Sequence, residues 1–131
     1  MPQDRFFATD YAYGIDKEKS LIKTLSTQFG DLKKSCNQYS LFDFSNNDCL
    51  VELKSRRCNH NTYPTTMVGN NKLNYAKNNP AKKFVFAFNF QDGLYYHVVD
   101  PKKDYIIRDG GGNGRAIKPY VYIPIEDLTK I

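Results

Sequence analysis

Tyr39 to Arg57, YSLFDFSNNDCLVELKSRR, constrains the fold more than any other stretch of the chain. It reads as two short strands joined by a tight turn. Tyr39 to Ser45 alternates and is aromatic, and Cys49 to Ser55 sets Glu52 and Lys54 among Leu50, Val51 and Leu53. Asn46, Asn47 and Asp48 are turn formers, and Asn-Asp suits the positive backbone angles of a two-residue hairpin loop. With Asn47-Asp48 as that loop, Ser45 stands opposite Leu50, Phe44 opposite Val51 and Asp43 opposite Glu52. Period-two alternation then puts Lys54 on the face of Glu52. Directly opposed like charges are unfavourable in a sheet. A divalent cation between Asp43 and Glu52 would remove that penalty, so the hairpin predicts a metal site with an ammonium beside it.

The 131 residues predict one domain, 1–131, long enough for a substantial core. No apolar run is long enough to span a bilayer, and no basic-then-apolar leader opens the chain. The 19 Lys and Arg outnumber 14 Asp and Glu for a net charge of +5, and their distribution is uneven. No acidic residue lies between Glu52 and Asp92, whereas Lys54, Arg56, Arg57, Lys72, Lys77, Lys82 and Lys83 all do. A cationic segment following a carboxylate pair fits a polyanion held against a metal centre; the plainer reading is a solvated basic face. Three cysteines at irregular spacing (Cys36, Cys49, Cys58) do not read as a disulfide framework and fit a reducing cytoplasm. Cys58 and His60 lack the second Cys/His pair that a structural zinc site needs.

Met1 to Tyr13 is mixed and aromatic, a tail with Phe6, Phe7 and Tyr11 to pack. Asp16 is an N-cap for an amphipathic helix that ends at Gly30, with Leu21, Ile22, Leu25 and Phe29 as its apolar stripe. Glu18 lies on that stripe, placed either to complement the helix dipole or to reach the site. After the hairpin, Cys58 to Thr66 reads as loop and Met67 to Asn78 as a helix, with Val68, Lys72, Tyr75 and Ala76 on one face. Phe84 to Phe90 is a strand buried on both faces, followed by a turn at Gln91–Gly93 and a returning strand, LYYHVVD. His97 within that strand reads as a satisfied strand residue rather than a ligand. Asp104 to Arg108 predicts an edge strand and Tyr120 to Ile123 a short one. Between them DGGGNGR (Asp109–Arg115) is a glycine-rich loop without the Gly-Lys-Ser/Thr ending of a P-loop; it reads as a flexible loop, with Arg115 a candidate phosphate contact. The order predicts an α/β (α+β) protein, a mixed β-sheet flanked by helices.

A helical Glu18, an Asp43 on one strand and Glu52-x-Lys54 on the next, followed by a helix and further strands, resembles the PD-(D/E)XK nuclease superfamily. The likeness spans about residues 14–100, is supported by the LFDF, VELKSR, NKLNYAK and FAFNFQDGLYY segments, and is greatest to small phage and viral members and Holliday-junction resolvases. It implies a restriction-endonuclease-like core and divalent-metal-dependent hydrolysis of DNA phosphodiester bonds. By the same resemblance Asp43, Glu52 and the Leu53 backbone carbonyl hold Mg²⁺ or Mn²⁺. Lys54 orients the attacking water and stabilises phosphate charge, and Glu18 is a further ligand. Where relatives carry a Gln near a Tyr, this chain has Lys72 and Tyr75, which places Lys72 against phosphate. The proline that often precedes the first acidic residue is replaced by Phe42. Arg56, Arg57, Tyr63, Lys72, Tyr75, Lys77 and Arg115 are the expected nucleic-acid contacts. The resemblance also implies a homodimer cutting two strands, with junction, homing-type and non-specific cleavage all open. The alternatives are an RNA endonuclease and a binding module on the same fold that grips nucleic acid without cutting.

Overall fold

The computed structural model describes residues 19–35, 41–112 and 115–131, with the side chains of residues 112 and 115 excluded. The expectations placed on Phe6, Phe7, Tyr11, Asp16, Glu18 and Arg115's side chain therefore lie outside the described residues. A helix, α1, covers residues 19–29. It stops at Gly30, whose φ of 91° is the left-handed conformation that ends helices without a Cβ penalty. Leu25 is fully buried, and Leu21, Ile22 and Phe29 pack beside it, as the apolar stripe predicts.

The strands that follow are β1 (Lys33–Lys34), β2 (Phe44–Ser45), β3 (Cys49–Ser55), β4 (Thr65–Gly69), β5 (Lys83–Phe90), β6 (Gly93–Val98), β7 (Ile106–Gly112), β8 (Arg115–Pro124) and β9 (Thr129–Lys130). A second helix, α2 (Asn70–Asn78), joins β4 to β5, and a 3-10 turn at Ile125–Asp127 precedes β9. Six strands form a mixed sheet in the order β1-β2-β3-β5-β6-β9; β4, β8 and β7 form a separate antiparallel sheet. Among the described residues the only parallel pairing is β3 with β5, reached through the β4–α2 crossover. The resulting α/β architecture is the restriction-endonuclease-like one.

β5 lies at the centre, and seven of its eight residues are buried. One face of the main sheet gathers Phe84, Phe86, Phe88 and Phe90 against Leu73 and Ala76 of α2 and Val121 and Ile123 of β8. The other face gathers Val51, Val85 and Ala87 against Leu25. Each fully buried phenylalanine contributes about 2–3 kcal/mol of transfer free energy, so the aromatic run is the main stabilising element. His97 sits inside this framework as predicted, with Nε2 2.8 Å from the Tyr105 hydroxyl and Nδ1 3.2 Å from the Asp127 carbonyl.

Three expectations are corrected. Met67 and Val68 belong to β4 and not to a helix, and the loop ends before Thr65. Thr65, Thr66 and Val68 are β-branched and pair with β8, an interaction that outweighs the weak helical spacing. α2 starts only at Asn70, so Val68 does not share its face. The glycine-rich stretch is not an open loop: Asp109 to Gly112 continue β7 against β8. A Cβ on Gly110 would meet Tyr120 and Tyr122 at 2.9 Å, and Gly111 has φ 107° where the register shifts, so the glycines serve a bulged hairpin packed under tyrosines. The first strand of the central hairpin is also irregular. Asp43 N–H bonds the Val51 carbonyl, yet Phe44 is the ladder partner of Val51. Two residues opposite one is a β-bulge, and it sends Phe42 and Phe44 to opposite sides of the sheet.

Candidate active site

The hairpin turn is fixed by one side chain. Asn46 Oδ1 accepts from the backbone N–H of Asp48 (2.9 Å) and Cys49 (2.8 Å), while its Nδ2 donates to the Phe29 carbonyl at the end of α1 (3.1 Å). Turn, helix and register are thus tied together. Ser45 pairs with Leu50 and Phe44 with Val51, the predicted alignment.

Alternation along β3 sends Leu50, Glu52 and Lys54 to the α2 side. The bulge releases Asp43 from the ladder, and its Oδ2 accepts the Leu53 N–H at 2.8 Å. Asp43 and Glu52 share a side-chain hydrogen bond. Glu52 is only 3% exposed. Burial first, and then the hydrogen bond to Asp43, push its pKa up to about 7, against the pull of Lys72. Lys72 Nζ stands 2.9 Å from Glu52 Oε2 and also donates to the Leu41 carbonyl. It meets Oε2 as an ion pair without hydrogen-bond alignment, so that buried oxygen has no aligned donor. A hydrogen-bonded carboxyl pair, with one buried oxygen lacking an aligned donor, is a hard-oxygen set that a divalent cation fits. Among the described residues no third His, Cys, Asp or Glu joins the pair.

Beside this pair opens a groove of about 590 Å³. Lys54, Arg56, Lys72 and Lys118 line it, together with the Gly69–Asn71 start of α2, and no carboxylate does. α2 has no side-chain N-cap and no acidic residue in its first turn, so its end presents backbone N–H groups and positive dipole to the groove. Arg56 Nη2 donates to the Met67 carbonyl at 2.7 Å, which fixes the guanidinium in the groove wall.

The predicted residues divide accordingly. Asp43, Glu52, Lys54, Arg56 and Lys72 come together, with Lys72 held on Glu52 and not pointing away toward substrate alone. Arg57, Tyr63, Tyr75 and Lys77 do not line the groove. Tyr75 packs on the rings of Phe42 and Phe84, at 6.0 and 5.8 Å, and Lys77 Nζ lies 6.0 Å from the Tyr105 ring. Tyr63 stands 64% exposed on the rim of a neighbouring cavity. Sequence reasoning missed Lys118, which reaches the groove because β8 pairs with β4; its alternation with Tyr120 in β8 was the available signal. Among the described residues no helix is long and apolar enough to cross a membrane.

No curated protein and no solved structure matches the chain. A family model described as "Phage putative PDDEXK endonuclease" matches residues 8–131, which take in the bulged Asp43, the Glu52-x-Lys54 strand, the crossover and the second sheet. The chain belongs to this phage PDDEXK endonuclease family.

Proposed function

We propose that the protein is a divalent-metal-dependent endonuclease that hydrolyses DNA phosphodiester bonds. The observation that carries this reading is the hydrogen-bonded Asp43–Glu52 pair, with Lys54 next on the same face, beside a groove whose charged lining residues are all cationic. Asp43 and Glu52 would hold Mg²⁺ or Mn²⁺, helped by the Leu53 carbonyl, which in an extended strand points the same way as the N–H that Asp43 engages. Bound there, the cation supplies Lewis acidity toward a phosphoryl oxygen and lowers the pKa of a coordinated water.

The chain's own residues supply the rest. The Lys54 ammonium is a charge-assisted donor to a non-bridging phosphate oxygen, where negative charge builds up in the transition state. Arg56, Lys118 and the start of α2 hold flanking phosphates and fix the strand's register without reading sequence. Lys72 keeps Glu52 oriented. Burial of Glu52 excludes bulk water from one side of the carboxylate pair, which strengthens the electrostatics there. Affinity for DNA should fall with salt, with a log–log slope of about −0.9 per phosphate neutralised.

The test is nicking of supercoiled plasmid and cleavage of a four-way junction with Mg²⁺, Mn²⁺ or EDTA, comparing wild type with Lys54→Ala. Metal-dependent cutting that Lys54→Ala lowers at least about 100-fold, with DNA binding kept, supports the assignment. Binding without cutting under every metal condition overturns it and leaves a nucleic-acid-binding module.

A further inference from the structure

We propose that a second cavity, next to the basic groove, binds one unpaired nucleobase of the DNA strand being cut. This inference rests on the nuclease reading and adds to it the kind of DNA selected. The cavity has a volume of about 470 Å³ and mainly apolar walls, among them Tyr63, Met67, Phe90 and Tyr122. Arg56 and Met67 line both it and the groove, so the two spaces share a wall. A strand whose phosphates lie along Lys54, Arg56 and Lys118 therefore passes the cavity mouth.

One wall of the cavity is held by a network of contacts. His60 forms its side wall and is locked in place: Asp92 Oδ1 accepts its backbone N–H at 2.8 Å, and Asp92 Oδ2 lies 2.5 Å from Nδ1. The imidazole stacks on Tyr95 with ring centroids 4.5 Å apart. The Asp92 hydrogen bonds hold that carboxyl below its ordinary pKa, so its charge is committed to His60. No Asp or Glu lines the cavity. Thr65 and Asn59 add neutral polar atoms suited to a base edge.

The occupant follows from these features. Apolar walls with exposed tyrosine favour a flat π-system, and every base has a π-face that stacks on aromatic side chains. The shared wall with a cationic track requires that the π-system be joined to phosphate. A base inside a duplex is stacked and paired, so only an unpaired or extruded nucleotide can enter. The site therefore selects DNA with an unpaired base beside the scissile phosphate.

The test is fluorescence anisotropy of wild type, Tyr63→Ala and Thr65→Trp in EDTA, which prevents cutting. The probes are fluorescein-labelled duplexes that are fully paired, carry one bulged thymine, or carry one bulged abasic site. Wild type should bind the bulged thymine about tenfold more tightly than either control. Tyr63→Ala removes a stacking wall and Thr65→Trp fills the cavity from a strand position that accepts aromatics, so both should abolish the preference. Equal affinity for thymine and abasic bulges, or a preference that survives Thr65→Trp, overturns the proposal while metal-dependent nicking would leave the nuclease reading intact. Tighter binding of a bulged uridine in an RNA duplex than of the DNA bulge overturns the assignment to DNA. A thymine preference lost in both variants upholds the cavity even where no metal supports cleavage.

Discussion

In the metal-free protein Glu52→Gln should gain stability relative to wild type as the pH rises from acid to alkaline. Glu52 titrates at about 7 in the fold against an ordinary 4.5, chiefly because it is buried and hydrogen-bonded to Asp43. The folded chain therefore holds the proton more tightly than the unfolded chain. The sign follows: the stabilising contribution is complete below about pH 4.5 and is lost as pH rises through about 7. At ~1.4 kcal/mol per pH unit, the interval corresponds to about 3 kcal/mol. Glutamine is neutral at every pH and its amide can still donate to Asp43, so the variant escapes this loss. Urea unfolding in EDTA at pH 5 and pH 8.5 measures it. The stability difference between variant and wild type should grow by about 2.5 kcal/mol between the two pH values, a shift of at least about 0.8 M in urea midpoint. Parallel pH–stability curves for the two proteins would refute the reasoning, because they would mean that Glu52 titrates alike in both states. Metal offers a second arm of the same experiment. At 100 times its Kd a cation stabilises the fold by about 2.7 kcal/mol, and wild type but not Glu52→Gln should gain this at pH 8.5.

Three other outcomes follow from the same geometry. Lys72→Met removes the ammonium 2.9 Å from Glu52 Oε2, so it should cost about 3 kcal/mol in the metal-free protein at pH 8.5, where breaking a buried pair strands a charge; by removing a competitor it should tighten Mn²⁺ binding about tenfold or more, read by calorimetry. Phe88→Ala opens a cavity at a fully buried position in the central strand and should cost about 3–5 kcal/mol in chemical denaturation, whereas Tyr63→Ala on the exposed rim should stay within about 0.5 kcal/mol. Burial lowers the His97 pKa below 6.5, so its contribution to stability is present above pH 6.5 and lost as pH falls below that value; His97→Gln should flatten the acid limb of the urea-midpoint profile.

The hairpin of β2 and β3 was legible because it depends on period-two alternation and one turn, both local. The Asn47-Asp48 loop gave the register of Ser45 and Phe44 against Leu50 and Val51, and alternation along β3 placed Glu52 and Lys54 on one face. The bulge at Asp43 was not legible, since nothing in Phe42-Asp43-Phe44 distinguishes a regular strand from a bulged one. Its effect is nonetheless what brings the Asp43 carboxylate to Leu53 N–H. β4 was misread because Met67, Val68 and the lysine at 72 mimic helical spacing over a short window; the β-branched Thr65, Thr66 and Val68 were the better guide. Alternation with Tyr120 gave the face of Lys118 within β8, but that this face and the cavity behind Arg56 lie beside the groove depends on β8 pairing with β4 across more than fifty residues of chain, which no local pattern encodes. The basic bias from Glu52 to Asp92 pointed to a polyanion, but it could not separate Arg56 and Lys72, which line the groove, from Arg57 and Lys77, which do not.

The central claim is that the Asp43–Glu52 pair is a metal seat. Its most direct measurement is calorimetric titration of Mn²⁺ into wild type, Asp43→Asn and Glu52→Gln at pH 7 in two buffers of different ionisation enthalpy. The structure predicts saturable uptake by wild type with proton release, since Glu52 titrates at about 7, and loss of the uptake in both folded variants. Uptake of equal affinity in all three proteins, or none by wild type, would contradict it.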